Sequence, residues 1–219
     1  MKLEVCASNL ASALAAEQGG AERIELCSAL SVGGITPSYG LLQHLFMTTR
    51  LEIMTLIRPR EGNFVYTGRE LEVMENDIRA LRGLCSGVVI GALTPQGEID
   101  LAAMKRLMKA AQGMPVTFHR AFDRCRDPFT ALEQIIDLGC IRILTSGQQP
   151  QAIQGIDLLH RLNEKAAGRI IIMPGGGVTP DNARAILDHT SCQEIHASCS
   201  AGTGNTDLNA VRQLIASIQ

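Results

Sequence analysis

LEVCASNLASALAAEQGGAERIELC, residues 3–27, is the stretch on which the fold turns. Its ends, LEVCA (3–7) and RIELC (23–27), alternate aliphatic residues with other side chains. A period of two marks a strand with one apolar face. Between them, NLASALAAEQ has the length and the alanine and leucine content of a helix, and Gly19-Gly20 closes it. The stretch is a strand–helix–strand unit. In both strands an acid and a thiol fill the slots between the aliphatics: Glu4 and Cys6 in the first, Glu25 and Cys27 in the second. A strand that reads as internal needs a reason to carry them.

The same unit recurs along the chain. Further strands are predicted at EIMTLIR (52–58), GVVIGAL (87–93), VTFHR (116–120), RILTS (142–146), IIIMP (170–174) and EIHAS (194–198). Helical segments fall between them, and TDLNAVRQLIASI follows the last. Asp100 reads as a helix N-cap, as do Asp127 before Pro128 and Thr179 before Pro180. Eight units in 219 residues recur about every 27 residues. That order predicts an α/β fold, a (β/α)8 TIM barrel forming a single compact domain over 1–219. An open doubly wound sheet is the rival, but it would leave edge strands.

Composition narrows the function classes. Hydrophobic residues make up 46%, enough for a sizeable core. The formal net charge of −2 and the lack of a basic run argue against nucleic acid, and 3% aromatics without Trp argue against base stacking. The start, MKLEVCASN, lacks the pattern of a signal peptide, and no run of about 18 apolar residues suggests a membrane span. Seven cysteines, odd in number and without C-x-x-C, point to a reducing cytoplasm rather than a disulfide framework.

In a barrel, alternate strand residues face the axis and the others face the helices. Leu3, Val5, Ile24, Leu26, Val116, Phe118 and Ile195 are expected outside. Glu4, Cys6, Glu25, Cys27, Thr117, His119, Glu194, His196 and Ser198 are expected inside. Arg58 and Ser146 end strands three and six. The C-terminal strand ends carry the site in such barrels, and buried carboxylates there need partners. Arg23, Arg58, Arg120 and His119 are available. Glu4 and Glu194 read equally well as a structural ion pair low in the barrel. Cys85, Cys125, Cys140 and Cys192 read as small buried hydrophobes.

Two segments carry chemistry. MPGGGVTPDN (173–182) runs from a strand through three glycines into a capped helix, a setting in which backbone and helix N-terminus favour an anion. Arg58, Ser146, His196 and the Gly175, Gly176 and Gly177 backbone are the candidate anion-binding groups, with the small-residue loop SCSAGTGN (198–205) beside them. TFHRAFDRCRDP (117–128) offers His119 as a base or ligand and Asp123 to orient it or to hold substrate. Glu25, His119 and Asp123 are the candidate catalytic residues. They fit an isomerase or lyase acting on a small phosphorylated or otherwise anionic metabolite. No lysine stands at a strand C-terminus, which argues against a Schiff base. An interaction scaffold is the plainer alternative.

LEVCASN, GGAERIELCSALSVGGITPS, LIRPREGNFVYT, PVTFHRAFD, RILTSG and MPGGGVTPDN, in this order, resemble the copper homeostasis protein CutC family over nearly the whole chain. The resemblance implies a cytoplasmic barrel, often a homo-oligomer, with a role in copper homeostasis. It implies Cu(I) ligands at Cys6 and Cys27; on the residues alone, His196 and Cys199 could assist them. No organic cofactor, nucleic acid or membrane partner is expected. The physics permits the thiolate site: Cu(I) is soft, and neighbouring strands lie about 4.8 Å apart. The resemblance also implies a longer segment before the last helix than SAGTGNTDL provides.

Overall fold

Each alternating run becomes a parallel strand, and each periodic segment becomes a helix. The computed structural model describes residues 1–200 and 204–219; the middle of the SCSAGTGN loop lies outside the described residues. The strands are β1 (Lys2–Ala7), β2 (Arg23–Leu26), β3 (Glu52–Leu56), β4 (Gly87–Ile90), β5 (Val116–Phe118), β6 (Arg142–Thr145), β7 (Ile171–Pro174) and β8 (Glu194–Ala197). The α-helices are α1 (Leu10–Gly19), α2 (Tyr39–Thr48), α3 (Gly68–Leu81), α4 (Leu101–Ala111), α5 (Pro128–Asp137), α6 (Ile156–Ala166), α7 (Pro180–Thr190) and α8 (Leu208–Ile218).

Local chemistry sets the helix ends. Asn9 accepts from the Ser12 N–H to start α1, and Gly20 ends it at a φ of 99°, a left-handed conformation suited to glycine. Asp100 caps α4, and Asp127 caps α5 with Pro128 in its first turn. Thr67 and Glu70 form a capping box on α3.

The sheet order is β7-β6-β5-β4-β3-β2-β1-β8, all parallel, and the ring closes through a single bridge between Gly175 and His196. This is a (β/α)8 barrel with one seam. Several strands end earlier than the sequence predicts. Regular pairing stops at Leu56, Ile90 and Phe118, so Arg58 and His119 stand just beyond their strands. At β5 the cause is His119 itself. Its ring nitrogen Nδ1 accepts from the Ala121 N–H and turns the chain into a 3-10 segment, Arg120–Arg124.

Strand parity divides the interior in two. Leu3, Val5, Ile24, Leu26, Val116, Phe118 and Ile195 join the large core between sheet and helices. Cys6, Cys27, Met54, Leu56 and Val89 form a separate cluster inside the barrel. Cys125, Cys140, Cys192 and Cys199 lie in the outer core. That burial holds the Cys140 and Cys199 thiols up at about 12, so Cys199 is a core side chain and not a helper at the barrel axis.

Candidate functional site

Register brings the inward polar residues together. Glu4 lies beside Arg23 on β2 and beside His196 on β8, while Cys6 lies beside Glu25. Lower in the barrel, charges pair off completely. Arg23 donates from Nε to Glu4 Oε2 at 2.7 Å and from Nη2 to Glu194. Arg142 grips Glu194 with Nε at 2.6 Å and Nη2 at 3.1 Å, and reaches Thr117 Oγ1 at 3.1 Å. Two carboxylates and two guanidiniums neutralise one another here. The structural reading of Glu4 and Glu194 is therefore the right one.

Above this layer the polar chain continues. His196 Nδ1 is 2.9 Å from Glu4 Oε1, and its Nε2 lies 3.7 Å from Glu25 Oε2. Burial opposes charge on the imidazole, but the Glu4 hydrogen bond and the Glu25 and Glu4 carboxylates outweigh it and raise its pKa. Glu25 is shifted up, chiefly by burial and secondarily by Glu4, against the pull of His196. Cys6 Sγ is 3.8 Å from Cys27 Sγ. The Cys6 thiol is held well above its ordinary value by the Cys27 contact, by burial and by the Glu25 charge.

Cys6, Glu25 and His196 each offer a donor atom, and these atoms all lie within 4.8 Å of one another. Metal–sulfur bonds of about 2.3 Å would let one ion bridge two sulfurs at this separation. Glu4 on the far nitrogen of His196 supplies the usual orienting partner of a ligating imidazole. The donor set fits a soft metal at the two sulfurs. Cys27 is fully buried: a Cβ on Gly34 would lie 3.5 Å from its sulfur, so this loop covers it. Access to the pair runs past Cys6.

That access is a cavity of about 500 Å³ at the C-terminal ends of the strands. Cys6, Glu25 and His196 line one side; Arg58, Phe64, His119, Arg120 and Arg124 line another, and Gly176–Val178 a third. His119 is buried among Phe64, with ring centroids 4.8 Å apart, and Gly91, where a Cβ would strike the ring at 2.6 Å. Burial, with Arg58 nearby, lowers its pKa to about 3. A neutral ring that accepts at Nδ1 carries its proton on Nε2. His119 is thus placed as a hydrogen-bond donor and not as a base.

The other expected residues are placed as follows. Asp123 does not orient His119. Its carboxylate accepts from Arg120 Nε at 2.8 Å, from the Ser146 N–H at 3.0 Å and from Thr145 Oγ1 at 2.5 Å, anchoring the loop after β6. Ser146 is fully buried and donates to Gln149 O at 2.5 Å, away from the cavity wall. Arg58 donates to the carbonyls of Val32, Gly34 and Gly62, tying two loops together, while its Nε has no partner among the described residues. Gly175 forms the seam, with Gly176 and Gly177 reaching the cavity. The sequence offers Arg120 only as a partner for a carboxylate and gives no sign of Arg124, although TFHRAFDRCRDP displays both.

The family model described as CutC matches residues 1–201. The chain belongs to the CutC family. A CutC-family relative from Glaesserella parasuis is 51% identical over 199 residues, covering 90% of this chain and 82% of its own. A human relative named copper homeostasis protein cutC homolog is 48% identical over 197 residues, covering 90% and 72%. A solved CutC structure from Streptococcus agalactiae superposes with a TM-score of 0.86 at 37% identity, over 90% of this chain and 98% of that one. Phosphoribosyl anthranilate isomerase from Thermotoga maritima, at 13% identity, 100% and 98% coverage and a TM-score of 0.65, shows the shared barrel alone.

Proposed function

We propose that this CutC-family barrel takes part in copper homeostasis by holding Cu(I) between the thiolates of Cys6 and Cys27. One observation carries the reading: two buried sulfurs lie 3.8 Å apart, and the one that lines the chamber, Cys6, has an imidazole and a carboxylate against it. Soft sulfur prefers Cu(I) over harder ions. Binding releases thiol protons, so affinity rises with pH.

The cytoplasm is the proposed location, supported by seven cysteines that are all free. No helix among the described residues is long and apolar enough to cross a membrane. The proposed assembly is a homo-oligomer, supported by exposed Tyr39 and Phe46, seven residues apart on α2, with Met47 alongside. Sedimentation equilibrium measures it, and a monomer at all concentrations removes this part.

The metal reading is tested by anaerobic Cu(I) titration against a competing chelator at several pH values. The wild-type protein should bind one ion per chain, with tighter binding at higher pH. The Cys6→Ser, Cys27→Ser double variant should lose that site. Unchanged affinity in the double variant ends the proposal.

A further inference from the structure

The cavity above the sulfurs is far larger than a bare ion between two thiols needs, and its walls are charged in a particular way. His119 is 4% exposed, and its Nε2 has no partner among the described residues. A buried donor left unpaired is costly, and a ligand oxygen accepting there recovers the loss. The ring cannot turn aside, because Nδ1 is fixed by the Ala121 N–H and Phe64 and Gly91 hold its faces.

Around it, Arg58 and Arg124 lack an answering carboxylate among the described residues. Arg58 spends its fork on carbonyl oxygens and so keeps its full charge. Arg124 stacks 5.6 Å over Phe64 and makes no hydrogen bond or ion pair among the described residues. Arg120 is balanced by Asp123, but its Nη1 reaches across the mouth to within 3.0 Å of where a Gly176 Cβ would stand. The missing side chain there brings main chain, guanidinium and cavity together. Two uncompensated guanidiniums beside an aimed neutral donor are complementary to an anion that also carries a second oxygen acceptor.

We propose that this cavity binds a small organic oxyanion, a carboxylate- or phosphate-bearing metabolite, with its anionic group between Arg124, Arg120 and the Gly176–Val178 loop and a carbonyl or hydroxyl oxygen accepting from His119 Nε2–H. The cavity volume of about 500 Å³ lies in the range of small-molecule sites. The site is separate from the metal reading and stands without it.

Calorimetry and thermal shift with four probes test the proposal: dihydroxyacetone phosphate, pyruvate, inorganic phosphate, and glycerol as the neutral control. At least one of the two carbonyl-bearing anions should stabilise the protein where glycerol does not, and comparing them tells a phosphate head from a carboxylate head. Arg124→Gln, which breaks no internal hydrogen bond or ion pair, should weaken that anion about tenfold, the usual scale of a hydrogen bond to a charged group. His119→Phe should weaken it by a similar factor while leaving inorganic phosphate unchanged. Should that variant fold poorly, the wild-type His119 Nε2 proton resonance decides, since it must shift on adding the anion. The anion titrations use metal-free protein and the copper titration is run without anion, so failure here and failure of the copper reading are told apart. The proposal is overturned if no charged probe outperforms glycerol, if Arg124→Gln keeps wild-type affinity, or if the His119 resonance does not move.

Discussion

Glu25 sits where its surroundings, on balance, oppose a charge on its carboxyl. Burial comes first and the nearby Glu4 carboxylate adds to it, while His196 and the Cys6 thiol pull the other way and lose. The carboxyl is thus easier to ionise in the unfolded chain than in the barrel. Glu25→Gln should therefore stabilise the metal-free protein at pH 7. The sign has a pH signature. A raised folded-state pKa penalises the fold only above the ordinary carboxylate value of about 4. The gain should fade as unfolding is measured at lower pH, where Glu25 is already neutral. Urea denaturation of both proteins at two pH values measures it, and equal stability at pH 7 refutes it. At this scale the sequence showed that Glu25 and Cys6 point inward. It could not show the state of His119, because that depends on one amide, Ala121 N–H, supplied by a turn invisible to periodicity. Asp123 misled for the same reason: its partners Thr145 and Ser146 arrive from another strand end.

Arg142 and Glu194 act between elements. Their fork joins β6 to β8 across the barrel interior, and Arg23 extends the network to β2. Taking one partner away strands a buried charge, which costs about 3–5 kcal/mol. Arg142→Met should lower stability on that scale, with the urea midpoint falling while the slope stays constant. The Arg142→Met, Glu194→Gln pair should recover part of the loss; no recovery would mean that the fork is not what couples these strands. Glu194 is held below the ordinary carboxylate range because Arg142 and Arg23 outweigh its burial. Its contribution is present above that range and disappears as pH falls through the depressed value. Element order was fully legible, since an aliphatic alternation followed by a helical period was repeated eight times. The fork was not. Periodicity says which way a side chain points, but not its height along the axis or how far a guanidinium reaches. Strand ends were overestimated for a related reason: His119 and Arg58 continue the alternation after backbone pairing has stopped.

Across the whole molecule, the barrel separates two kinds of polar chemistry by height. The lower network is saturated and holds strands together, whereas the upper chamber keeps a donor and guanidiniums that no carboxylate answers among the described residues. Between these lies the seam. Seven strand junctions are zipped in register, whereas β7 and β8, among the described residues, are bridged by backbone pairing at Gly175 and His196 alone. Any Cβ at position 175 would crowd Leu144 at 2.5 Å and His196 at 3.1 Å, so the close approach depends on glycine. Backbone amides of β7 and β8 should exchange with deuterium sooner than those of β2 and β3, as mass spectrometry of the peptides would reveal; equal rates would contradict this. The hoop therefore has a clasp, and the clasp carries His196 on one half and adjoins the glycine wall of the chamber on the other. Breathing of the ring would begin where visitors enter, and a guest touching both halves would fasten it.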